Sequence, residues 1–410
     1  MSKFIYRCTD CGKEYDSAAP FYLCPSCSAA SLPDAPPRGV VKAIYNYKMI
    51  RESAAGFDGL KNRQFIDLLP LNSTDSLPPL RVGNTPLYRF KELGGKHLPF
   101  RLCIKDDSQN PTWSFKDRAS AIVSAWAREK GLDSIIAAST GNAGSSLAGI
   151  CASQQQRAII VVPESAPPAK LTQIVMYGAT IVPVKGTYDE AFDLSVKATE
   201  EFGWYNRNTA YNPLTVEGKK TASFELFEQL DRQVPDRIFL PAGDGVILAG
   251  IYRGFEDLLH VGIISRMPVI VAVQSEKSDN LVRNIPREEF TVVPSTTVAD
   301  SISVDIPRNF YMARGFIREY NGETLTVSDD DILHASGMLA AVTGLFAEPA
   351  AAAAFAGFLS YYGEGRLETD TSNVVLLTGS GLKDPRAVSS LIRMPEPVYP
   401  TIDNLLKIVQ

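Results

Sequence analysis

The chain of 410 residues carries 41 Lys and Arg against 46 Asp and Glu, a formal charge of −5. At about 150 residues per domain, this length implies two or three domains with substantial cores. The acidic balance and the absence of a basic block argue against a nucleic-acid partner. The longest apolar runs, such as Ala350 to Ala354, fall far short of the ~20 residues a membrane span needs. Met1 to Cys11 holds charges and cysteines where a signal peptide needs an apolar stretch, so the expected location is the cytoplasm. The three histidines, His97, His260 and His334, are scattered and fit no triad or His-rich metal site.

In chain order the first feature is a pair of knuckles, Cys8-Thr9-Asp10-Cys11 and Cys24-Pro25-Ser26-Cys27. Four thiolates on two tight turns close a tetrahedron, so Cys8, Cys11, Cys24 and Cys27 read as a structural Zn2+ site with no open position. The alternative is two metal-free cysteine pairs. Cys103 and Cys151 read as plain core residues. Residues 1–37 are therefore expected to form a zinc-ribbon-like module ending in a Pro- and Ala-rich linker. Residues 38–84, without clear period, are expected to form a packed arm.

From Leu87 onward short β-branched runs alternate with helical periods. Strands are expected at Ser134–Ser139, Ala158–Pro163, Thr180–Lys185, Arg237–Ala242, Pro268–Gln274 and Asn373–Thr378. Helices are expected at Lys116–Lys130, Lys170–Tyr177, Tyr188–Phe202, Thr221–Leu230, Ile247–Leu259 and Asp330–Val342. The alternation predicts an α/β chain of two three-layer lobes with mostly parallel sheets and right-handed crossovers. The lobes are assigned to 85–215 and 216–410, discontinuous in sequence, with the polar span Asn206 to Lys220 between their clusters of units.

Three loops sit where strands turn into helices, the ligand-binding position of open α/β sheets. They are Ser139-Thr140-Gly141-Asn142, Gly243-Asp244-Gly245-Val246 and Thr378-Gly379-Ser380-Gly381. Glycines and helix starts let backbone N–H groups meet an anion, although each loop alone also reads as a tight turn. Neither a nicotinamide fingerprint nor a P-loop fits these spacings. In Asn110-Pro111-Thr112-Trp113-Ser114-Phe115-Lys116-Asp117-Arg118, Ser114 and Asp117 resemble a capping pair, which places Lys116 in a helix's first turn. There the helix dipole favours the free amine over the ammonium. By itself this segment more readily describes an exposed lysine beside a core Phe115.

Together these segments, with Gly83-Asn84-Thr85-Pro86-Leu87 before them and Gly381-Leu382-Lys383-Asp384-Pro385 after, resemble the fold-type II pyridoxal-phosphate enzymes, and within them the threonine synthase group, from Arg81 to Arg386. The resemblance implies pyridoxal 5'-phosphate held on Lys116, with Phe115 bordering its ring and Asn142 on its 3′-oxygen. Gly243, Asp244, Gly245 and Val246 would cradle its phosphate, and Thr378 would meet its pyridine nitrogen. Ser139, Thr140 and Gly141 would surround the substrate carboxylate. The implied reaction is that of a carbon-oxygen lyase, converting O-phospho-L-homoserine and water to L-threonine and phosphate, in a homodimer.

Four departures fall near the implied site: Trp113 and Ala119 replace glycines, Asp244 sits in the phosphate loop, and Ser380 replaces a histidine. Arg308 reads either as a substrate-phosphate contact or as half of a surface salt bridge. Two other functions share the sequence features. One is a β-replacement or dehydration of a serine- or threonine-like amino acid on the same cofactor. The other is an inert α/β binding protein bearing a zinc ribbon.

Overall fold

The computed structural model describes residues 3–409. At its start, strand Phe4–Cys8 lies between Glu14–Asp16 and Val41–Tyr45 in a three-stranded antiparallel sheet. Strict alternation buries Phe4, Tyr6 and Cys8 on one face, and Val41, Ala43 and Tyr45 join them. The module is fastened to the main body through buried polar contacts. The Tyr45 hydroxyl donates to Glu217 at 2.7 Å, and Arg253 donates to the Ala43 carbonyl at 2.9 Å.

Two further sheets carry the body. The larger has the order Glu323–Val327, Val269–Ser275, Arg237–Pro241, Ser372–Leu377, Lys96–Asp106, Leu87–Leu93. Its pairings are parallel except the last, which is an antiparallel hairpin. The smaller sheet, Thr180–Val184, Arg157–Pro163, Ser134–Ala138, Tyr205–Asn206, is parallel throughout. Strand Ser372–Leu377 is buried at every residue, as a strand covered on both faces must be. The α/β class and parallel sheets expected from the sequence are present, and the six expected strands and helices recur with ends shifted by a residue or two.

Helix Lys116–Glu129 is buried along almost its whole length. Helix Pro349–Gly363 opens on a run of alanines, which combine high helix propensity with close approach to the sheet. Residues 188–202 form a helix because Thr187 and Glu190 complete a capping box and Gly203 ends it in the left-handed region. The polar span 206–220 does not behave as a solvated separator. Arg207, Asn212, Lys219 and Lys220 are fully buried and Glu217 nearly so, because the span contains helix Leu214–Lys219 packed between the lobes' elements. Among the described residues, no helix is long and apolar enough to cross a membrane.

Candidate active site

The C-terminal ends of Ser134–Ala138 and Arg237–Pro241 open onto one cleft of about 440 Å³. Lys116, Ser139, Thr140, Gly141, Asn142, Gly243, Asp244, Gly245 and Val246 all line it. Phe115 and Thr378 do not. Both are buried behind the wall, joined by the Phe115 N–H donating to the Thr378 carbonyl at 2.8 Å.

Lys116 is the first residue of its helix, but the start is built differently from the capping pair read in the sequence. Asp117 turns back and accepts the Thr112 N–H at 2.7 Å and its hydroxyl at 2.5 Å, so it caps the preceding loop. The buried Ser114 hydroxyl has no partner among the described residues. Trp113 sits at φ 65°, a left-handed conformation that costs a bulky residue about 1–3 kcal/mol, and explains why glycine suits this place. Two backbone bonds hold it there: its N–H donates to Asn110 at 2.8 Å, and its carbonyl accepts from Ser380 at 3.1 Å. The Lys116 ammonium is pushed below its ordinary range by burial first and by Arg207 second. The free amine that the sequence attributed to the helix dipole is thus favoured mainly by desolvation.

Asn142 begins helix Asn142–Gln154, and its amide donates to both Glu348 oxygens at 3.0 Å and to the Ser301 hydroxyl at 3.2 Å. Glu348 is a site residue the sequence reading missed. Its signal was an acidic residue followed by Pro349 ahead of an all-apolar run: a helix buried on every side must bury its N-cap too. Burial pushes the Glu348 carboxyl above its usual range, against the pull of Asn142 and Lys116. A Cβ at Gly379 would lie 2.5 Å from Glu348, so the last loop needs glycine there to let the carboxylate reach Asn142.

The loop Gly243–Val246 faces the cleft at the start of helix Val246–Val261. Gly245 has φ +83°, and a Cβ at Gly243 would come within 3.1 Å of the Ile302 backbone. Asp244 accepts the Arg308 N–H at 3.2 Å, which gives the acidic residue of this loop a partner on the opposite segment. The Arg308 guanidinium pairs with Asp189 at 2.5 Å and stacks on Phe192, and both members of this pair line the cleft. Arg207 and Lys219, neither singled out in the sequence, also line the cleft.

Far from the cleft, the four cysteine sulfurs of Cys8, Cys11, Cys24 and Cys27 all lie within 4.8 Å of one another. The Cys11–Cys24 separation is 3.8 Å, equal to the edge of about 3.8 Å expected for a tetrahedron with Zn–S bonds of about 2.3 Å. The Tyr15 hydroxyl lies 3.0 Å from Cys24, an outer contact of the kind that orients a metal ligand.

A half-buried amine beside a glycine-built helix start, in a cleft carrying cationic groups with unpartnered nitrogens, defines an α/β enzyme fitted to a phosphorylated aldehyde. A family model described as pyridoxal-phosphate dependent enzyme matches residues 79–379, and the chain belongs to that family. It is 33% identical to threonine synthase of Methanocaldococcus jannaschii, covering 98% of each chain. It is 32% identical to threonine synthase of Methanosarcina acetivorans, covering 97% of each. Among solved structures, threonine deaminase isoform 2 of Solanum lycopersicum aligns with a TM-score of 0.65 at 22% identity, over 82% of this chain and 94% of that one, a likeness of fold.

Proposed function

We propose that the protein is a pyridoxal-phosphate-dependent threonine synthase, converting O-phospho-L-homoserine and water to L-threonine and phosphate. The observation that carries this reading is the end-to-end likeness to curated threonine synthases, whose length the chain spans almost fully. The cofactor, when bound, supplies an electron sink for the pair left behind as protons leave substrate carbons. The chain's residues do the rest. Lys116, a cleft-lining amine held below its ordinary range, binds the cofactor covalently and moves protons to and from the substrate. One such amine suffices, which suits a cleft whose lining contains no histidine.

In this reading the N–H groups of Gly243 to Val246 hold the cofactor's phosphate, and the Asn142 amide, steadied by Glu348, meets its ring oxygen. Thr378 and Phe115 complete the ring's surroundings from behind the cleft wall. Ser139, Thr140 and Gly141 meet the substrate carboxylate at the open side. The division into module, arm and two discontinuous lobes, the homodimer and the cytoplasmic location belong to the same reading.

The direct test is product analysis with O-phospho-L-homoserine. Phosphate and threonine released in equal amounts is the expected result. Phosphate without threonine would move the protein to the elimination or replacement chemistry of its fold relatives.

The cysteine cluster is proposed to hold one structural zinc ion. Protein purified without chelator is then expected to contain about one zinc per chain, and the Cys24→Ser variant to contain almost none and to melt earlier. Full thermal stability in metal-free wild-type protein would contradict this.

A further inference from the structure

Two cations on the cleft lining, Lys219 and Arg207, have no part in the roles above and each keep an unpartnered nitrogen among the described residues. Lys219 ends helix Leu214–Lys219, is fully buried, and its Nζ has no partner among the described residues. A Cβ at Gly250 would fall 2.5 Å from the Lys219 Cβ, so the lysine stem lies against the first turns of helix Val246–Val261. Arg207 is also fully buried. Its Nε donates to Ser120 at 3.1 Å and its Nη1 to Thr209 at 2.8 Å, while Nη2 is left without a partner.

Ordinary buried lysines of this chain are paired. Lys220, the very next residue, binds Glu217 and Asp257, and Lys105 binds Glu225 at 2.7 Å. Lys219 has no such carboxylate, and burial, Lys116 and Arg207 together disfavour its charged form, with Asp244 a weaker opposing influence. An unpaired buried cation is costly to keep, and such groups are retained where a ligand supplies the missing charge. The ligand these two groups fit is an oxyanion.

The reaction proposed above brings two phosphate monoesters into this cleft, one on the cofactor and one on the substrate. The backbone N–H groups at Gly243–Val246 and the side chains of Lys219 and Arg207 are two anion-attracting sets of different construction on one lining. We infer that Lys219, with Arg207, is the subsite for the substrate's phosphate and makes the enzyme prefer a phosphate ester over an uncharged ester of the same amino acid. This rests on the reading of the protein as a threonine synthase.

The test compares wild type with Lys219→Met and Lys219→Arg as holoenzymes, using inorganic phosphate as the calorimetric probe and visible absorbance to follow cofactor affinity. Lys219→Met is expected to weaken phosphate binding by about 10- to 100-fold, the loss of one charged hydrogen-bond partner. Lys219→Arg is expected to restore most of it, and pyridoxal-phosphate affinity to change less than about 3-fold in either. Discrimination between O-phospho- and O-acetyl-homoserine should fall with Lys219→Met. Its melting temperature should hold or rise, because a lone buried charge has been removed; a structural lysine would lower it.

Unchanged phosphate binding in Lys219→Met overturns the inference. So does a weakened cofactor with phosphate binding intact, which would assign Lys219 to the cofactor's phosphate. A phosphate site lost with Lys219 in an enzyme that makes no threonine would instead sink the reaction while leaving the oxyanion subsite in place.

Discussion

The Lys116→Ala variant is expected to lose threonine formation by at least about 10²–10⁴-fold, the range for removing one proton-transferring group, and to lose its visible cofactor band as well. The two losses have one cause. Lys116 lines the cleft together with the Ser139 and Gly243 loops, and the other lysine lining it, Lys219, has its stem against helix Val246–Val261. Added methylamine restoring part of the rate would show that an amine is what is missing. A variant that kept more than about a tenth of wild-type activity would contradict the assignment. Because Lys116 is only partly buried and forms no ion pair among the described residues, its removal should cost little stability, and an unfolded variant would not explain the result.

The second large effect is on stability. Arg118, two residues along the same helix, is almost completely buried and forks between two carboxylates. Its Nε and Nη2 donate to Asp107 at 2.5 and 2.9 Å, and Nη1 and Nη2 to Glu225 at 2.6 and 2.7 Å. Arg118→Met leaves Asp107 without a cation and Glu225 with Lys105 alone, a loss of about 3–5 kcal/mol for a broken buried pair, and should shift the denaturant midpoint accordingly.

The same cluster sets a pH dependence. Burial pushes the Glu225 carboxyl up, but Arg118 and Lys105 outweigh it and hold the group at about 2, below its ordinary 4.5. A depressed folded-state value adds stability that is fully present above the unfolded value and is lost as pH falls. Stability should therefore decline from about pH 4.5 down to about pH 2, and Glu225→Gln should flatten this part of the curve. A wild-type curve flat over that window would refute the charge assignment.

Much of this arrangement was legible in the chain, for identifiable reasons. The strands at 134, 158, 237 and 373 read as apolar runs because both their faces are covered, and the loops after those at 134, 237 and 373 carry glycines. Lys116 was visible because its motif is local. What stayed hidden depends on contacts distant in sequence. Glu348 meets Asn142 across 206 positions, and nothing near either residue marks the pairing. The hairpin Leu87–Asp106 joins the large sheet beside Ser372–Leu377, a neighbour supplied by the far end of the chain. Arg207 and Lys219 lie in a span whose polarity resembles a solvated connection. Such residues become buried because helices Lys116–Glu129 and Val246–Val261 pack against their span, and local polarity cannot report that.

The early antiparallel module was half legible. Its cysteine spacing announced a metal knuckle, while the alternation of Phe4, Tyr6 and Cys8 against Val41, Ala43 and Tyr45 requires the two strands to be brought together before it reads as a sheet. The network that fastens this module, centred on Arg253 with Glu256 and Asp257, is likewise a product of packing.

The most direct measurement on the central claim is reduction of the purified holoenzyme with borohydride followed by peptide mass mapping. The account predicts a single pyridoxyl-phosphate adduct, on Lys116 and on no other lysine. An adduct confined to Lys219 or Lys383, or none despite a bound chromophore, would contradict it.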